Sequence, residues 1–125
     1  MKNKHLNSAK TTLESMKAEE TVFTEALGNY PIIRVLDHLI IGKDFDYSIS
    51  DIAEGAEVGW TTIHEILPKL EKLGIVKQTR RIGMAKLYRI NTSNPVAAHI
   101  INLHEKLMKE SIDRIIEKQK VKAVH

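Results

Sequence analysis

Apolar residues recur with two different periods along this chain, and the changes of period mark its elements. Over residues 11–27, Leu13, Met16, Val22, Phe23, Ala26 and Leu27 fall mostly three and four apart, the spacing of one helical face. Gly28-Asn29 stops that helix, with glycine just past the end. Pro31 opens the next at a first-turn position, where its missing N–H costs nothing. Ile32, Ile33, Val35, Leu36, Leu39 and Ile40 then make a broad apolar face that predicts a core helix to about Ile41, closed by Gly42-Lys43-Asp44. From Phe45 to Ile49 the period drops to two, which predicts a short strand.

Ser50 is the expected N-cap of a helix from Asp51 to about Ala56, with Asp51 and Glu54 as acids in its first turn. After the turn Glu57-Val58-Gly59, a second helix runs from Trp60 to Gly74. Ile63, Ile66, Leu67, Leu70 and Leu73 share its inner face; Thr61, Glu65, Pro68 and Lys72 lie opposite, flanked by Thr62, His64 and Lys69. Pro68 removes the bond to the His64 carbonyl and predicts a bend on the outward side. Residues 75–80 and 85–90 read as two strands joined by Arg81-Ile82-Gly83-Met84, with Gly83 free to take a positive φ. Asn94-Pro95 then starts a long helix to about Lys120. Val96, Ile100, Leu103 and Leu107 form a stripe that Met108, Ile112 and Ile115 continue, displaced by one residue. So long a helix exceeds what a small domain covers. The stripe predicts a homodimer interface, against the alternative that it folds back on the first helix of its own chain.

Composition narrows the class. With 125 residues and 42% hydrophobic content, the chain has room for one core plus arms. Residues 1–10 are expected to be a flexible basic arm, 11–92 the main domain, and 93–125 a dimerisation helix and tail. No apolar run suits a membrane span, none follows the basic N-terminus as in a signal peptide, and cysteine is absent. These point to a cytoplasmic protein without disulfides or thiolate metal sites. Charge is segregated: residues 19–59 carry nine acids against two bases, whereas residues 75–90 carry five Lys or Arg and no acid. Such a body offers a polyanion one preferred face.

The spacing Ile52-Ala53-x-x-Ala56-x-Val58, followed by Ile63 and Ile66, suits two helices crossing steeply, with small Ala53 at the closest approach and Val58 plugging the turn. With the segment WTTIHEILPKLEKLGIVKQTRRIGMAKLYRI, this order resembles the winged helix-turn-helix transcriptional regulators of the ArsR and MarR type, especially short archaeal members. The expected fold is mainly α with a small β wing and a long C-terminal helix. Two departures stand out. Glu57 occupies a turn position often held by glycine, so that Gly55 or Gly59 absorbs the unusual backbone angle or Glu57 bears the strain. Gly59, rather than Ser or Thr, caps the second helix.

The resemblance implies binding of double-stranded DNA, with the second helix in the major groove. Thr61 and Thr62 suit bases or phosphates, Glu65 a cytosine amino group, and His64 a phosphate or guanine. Trp60 either stacks on sugar or packs beneath the helix. Lys69 and Lys72 would approach phosphates, and Arg80, Arg81 and Lys86 on the wing would reach the backbone or minor groove. A small-molecule effector is also implied, though no residue identifies one. Metal sensors occur among ArsR-type relatives, but His99 and His104 lie about 140° apart on a helix and share no face within one chain. No metal, cofactor or enzymatic constellation is read, since no phosphate loop, carboxylate pair or activated nucleophile stands at a recognisable spacing. The alternative to a DNA-binding regulator is a winged-helix protein-interaction module of transcription or replication machinery with weak DNA affinity.

Overall fold

A computed structural model describes residues 20–124. The elements are α1 (Val22–Leu27), α2 (Pro31–Ile41), β1 (Tyr47–Ser48), α3 (Ile49–Ala56), α4 (Trp60–Lys72), β2 (Val76–Ile82), β3 (Ala85–Ile90) and α5 (Pro95–Val124). The expected arm and residues 11–19 lie outside the described part. Within it, the first helix starts later than its apolar spacing suggests. Thr21 is extended and its hydroxyl accepts from the Thr24 N–H at 3.2 Å, so a side-chain cap begins α1 at Val22.

The core lies where α2, α3 and α4 meet the sheet and the start of α5. Phe23, Val35, Leu39, Ile52, Ile63, Leu67, Leu70, Val76 and Ile90 are fully buried there. The inner face of α4 holds Ile63, Ile66, Leu67 and Leu70 as expected, but Leu73 is 63% exposed. It caps the helix at φ −80, ψ −4, where the chain turns toward β2 and leaves the face.

Two other boundaries move. β1 is only Tyr47–Ser48, and Ser48, not Ser50, caps α3, its hydroxyl accepting from the Asp51 N–H at 3.1 Å. Helix therefore overtakes the end of the alternating stretch. The sheet order is β1-β3-β2, antiparallel throughout. The connection between β2 and β3 is also tighter than the four residues expected: Ile82 pairs with Ala85, leaving Gly83-Met84 as a two-residue turn. Gly83 has φ +60 and Met84 does not share a positive φ, the signature of a type II′ hairpin turn, which requires glycine first. A bulge at Thr79 breaks the register between Gln78 and Arg80.

α5 is tied to the domain by its first three turns. Asn94 caps it as expected, Oδ1 accepting from the Ala97 N–H at 3.0 Å. Ala97 and His104 are buried, and Ile100, Ile101 and Leu107 pack on the core. Ile100 and Leu107, expected at a dimer interface, pack half-buried against the chain's own core. Deeper in, the His104 ring bonds Asp37 on α2 at 2.7 Å and packs on Phe23 with ring centroids 4.9 Å apart, and Thr21 donates to the same carboxylate at 3.0 Å.

Candidate nucleic-acid interface

The turn between α3 and α4 sets the exposed face of α4. Glu57 sits at φ 53, ψ 51, in the left-handed region, so the strain falls on Glu57 itself rather than on Gly55 or Gly59. Three contacts hold this turn. Val58 N–H donates to the Ala53 carbonyl at 2.8 Å, while Arg34 on α2 donates to the Ala56 carbonyl at 3.0 Å and the Glu57 carbonyl at 3.3 Å. A guanidinium thereby satisfies carbonyls at the end of α3, where the helix dipole favours a cation. Gly59 caps α4 without a side-chain bond, leaving its first-turn N–H groups open to a phosphate oxygen.

Outward from this turn, α4 presents Trp60, Thr61, His64, Glu65, Pro68, Lys69 and Lys72 to solvent, with Thr62 half-buried. The β2–β3 hairpin runs alongside. An open groove of about 470 Å³ is lined by His64, Pro68 and Glu71 from α4 and by Met84, Lys86 and Tyr88 from the hairpin. The helix face and the hairpin therefore border one surface. Residues Arg81 to Lys86 are all exposed, so the distal half of the hairpin projects from the body.

No family model matches the chain, and no curated protein matches its sequence. Among solved structures it is similar to the homodimeric winged helix-turn-helix DNA-binding domain of Mb0332 from Mycobacterium bovis, a possible ArsR-family transcriptional regulator. That match has 25% identity and a TM-score of 0.51, and covers 84% of this chain and 89% of the other. A MarR-family transcriptional regulator from Silicibacter pomeroyi matches at 20% identity and a TM-score of 0.53, covering 81% and 70%. Lactococcus lactis ZitR, as a mutant in complex with DNA, matches at 15% identity and a TM-score of 0.52, covering 67% of this chain but only 57% of ZitR. The fold is a winged helix-turn-helix. Its solved neighbours are of the ArsR and MarR type, as the sequence resemblance implies.

Within the winged helix, the residues singled out from sequence fare unequally. Trp60 is 58% exposed and meets the His64 ring edge-on at 4.2 Å, so it is not a core residue. The His64 ring donates through Nδ1 to the Trp60 carbonyl at 2.8 Å, because a carbonyl can only accept. Nε2 is then the ring nitrogen left to meet a base or a phosphate. Arg81 and Lys86 face each other across the last cationic rung of the wing.

Arg80 departs from the expectation of a free wing cation. Its guanidinium grips Asp46, Nε to Oδ2 at 2.9 Å and Nη2 to Oδ1 at 3.2 Å, and Thr79 donates to Oδ2 at 2.7 Å. These bonds, Arg80 first, hold the Asp46 carboxyl down at about 2. The register shift falls at these same residues, between Gln78 and Arg80. Sequence reasoning missed this pair because 33 positions separate Asp46 from Thr79; the only local hint was one acid just before the strand. It also missed Lys77, exposed on the wing across from Arg89. As for metals, His104 is committed to Asp37 and His99 is exposed. Among the described residues no cluster of three or more His, Cys, Asp or Glu could hold an ion. No helix among them is long and apolar enough to cross a membrane.

Proposed function

We propose that this chain is a sequence-specific double-stranded DNA-binding transcriptional regulator acting as a homodimer, a repressor that occupies its operator. α4 enters the major groove, with Thr61, Thr62, His64 and Glu65 at base edges and Lys69 and Lys72 on phosphates. The wing, through Arg81 and Lys86, lies on the backbone or in the minor groove. One observation carries this reading: His64 of α4 and Lys86 of the acid-free hairpin line one groove, so the helix and the wing border the same surface. The homodimeric DNA-binding domain of Mb0332 and the DNA complex of ZitR support it.

The test is fluorescence anisotropy on duplexes selected from a random pool, across a salt series. Affinity should fall steeply, with log K against log salt sloping by about −0.9 per phosphate contacted. Arg81→Ala should flatten that slope by about one contact for every sequence, whereas Glu65→Ala should alter base preference. Salt-independent binding, or none to any duplex, sinks the reading.

A further inference from the structure

The tip of the wing carries two apolar side chains exposed among the described residues. Met84 is 96% exposed and Ile82 58%. The hairpin's buried residues, Val76, Leu87, Tyr88 and Ile90, all lie at its base. At the tip, nothing lies within 4 Å of where a side chain on Gly83 would start. More than half of the Ile82 surface and nearly all of Met84 meet water, which is unfavourable for the isolated molecule.

The rung behind the tip is also set against the isolated fold. Arg81 and Lys86 are direct cross-strand partners, and like charges at such positions repel. Neither has an ion-pair partner among the described residues. Nearer the base, Lys77 faces Arg89, which is half-buried and donates to the Lys43 carbonyl at 2.8 Å, so the unpartnered cations are those next to the tip. A polyanion relieves both faults: its phosphates neutralise the opposed cations, and its stacked bases offer an apolar environment just beyond them.

We propose that Ile82 and Met84 form an apolar wedge that enters the minor groove and unstacks a base step, bending the duplex, while Arg81 and Lys86 grip phosphates beside it. This rests on the DNA-binding reading and adds a consequence that reading does not require. The ribbon acts as a lever, with Gly83 keeping its tip narrow and unbranched Met84 leading. Opening a step is easiest at flexible pyrimidine–purine steps, above all TA. The wedge therefore selects a TA step beneath the wing without a hydrogen bond to any base.

The experiment uses the full chain and a duplex of about 20 base pairs, roughly 70 Å long, selected from a random pool, with donor and acceptor dyes at its ends and 2-aminopurine in the step beneath the wing. Wild-type protein should shorten the end-to-end distance and raise 2-aminopurine fluorescence on binding. The double variant Ile82→Ala, Met84→Ala keeps every cation and alters only exposed side chains. It should still bind in low salt but leave the duplex straight, the 2-aminopurine quenched, and the preference for TA over a GC step abolished. Met84→Leu should bend as wild type does. Binding without bending by the wild type, or equal bending by the double variant, overturns the wedge and leaves DNA binding intact. Failure of every variant and the wild type to bind overturns both.

Discussion

Two side chains carry most of the local tension in this fold, and each gives a test. Glu57 takes the left-handed angle that ends α3. For a residue with a β-carbon this costs about 1–2 kcal/mol, less for asparagine. Its backbone carbonyl, not its side chain, meets Arg34. Glu57→Asn should therefore stabilise the domain by roughly 0.5–1 kcal/mol, raising the melting temperature by about 2–5 °C; an unchanged or lower value would remove the strain argument. His38 is the second. Its ring packs on Tyr47 with centroids 5.0 Å apart, and a β-carbon on Gly55 would overlap it. Its Nε2 is buried with no hydrogen-bond partner among the described residues. Burial lowers its pKa below the ordinary 6.5, against the pull of Asp37 and Asp51. The unfolded chain then binds the proton more readily than the fold does. The stability this neutral ring contributes is present above about pH 6.5 and is lost as pH falls toward the lowered folded value. Urea midpoints of wild type should drop between pH 7.5 and 5.5 by more than those of His38→Gln; parallel curves would show that His38 is not the group responsible.

At the scale of elements, polar side chains decide how helices and strands meet. Asp46 precedes β1 and holds Arg80 of β2, cancelling one wing cation. Asp46→Asn should release that guanidinium to a phosphate, steepening the salt slope of DNA binding by about 0.9. Unchanged slope would mean that Arg80 contacts DNA while still paired, or not at all. Asn94 joins two helices: Oδ1 caps α5, while Nδ2 donates to the Leu73 carbonyl at the end of α4, 3.3 Å away. Asn94→Ser keeps a cap and loses the link, so it should cost about 1 kcal/mol, against about 2 for Asn94→Ala, in urea unfolding. Equal losses would assign all of Asn94's effect to one bond. These elements also show what could be read beforehand. Inner positions 52, 53, 56, 63, 66, 67 and 70 follow from period and side-chain size, because burial of a helix face is a local regularity. The Asn94-Pro95 start was equally legible, being a contact between near neighbours. Leu73 was misjudged because periodicity continues on paper past the residue where the chain turns. Arg34, Asp46 and His104 were missed for a different reason: each answers a partner 20 to 70 positions away, and no local pattern encodes such a distance.

At the scale of the whole molecule, the far half of α5 carries an apolar stripe that calls for a cover. At about 100° per residue, Met108, Ile112, Ile115 and Ile116 fall within about 100° of one another. They continue the arc by which Ala97, Ile101 and His104 dock on the domain. All four are exposed among the described residues. Val96 and Leu103, also expected at the interface, are exposed on a different arc and flank this stripe rather than extend it. A helix of 30 residues spans about 45 Å, well past the domain it leaves. A second copy, related by a two-fold axis, would cover the stripe with the same residues and set two copies of α4 apart for half-sites about 34 Å from each other. The competing occupant is the chain's own residues 11–19, whose Leu13 and Met16 are apolar. Sedimentation separates them. Wild type should run at twice 14.2 kDa at micromolar concentration, and Ile112→Glu with Ile115→Glu should run as a monomer, folded because both positions are exposed among the described residues. The same variant should lose about 10²–10⁴-fold in affinity for a paired site, while keeping its affinity for a single half-site. A variant lacking residues 1–19 should stay dimeric. A monomeric wild type, or a dimer untouched by both glutamates, would assign the stripe to another occupant and leave each winged helix to bind DNA alone.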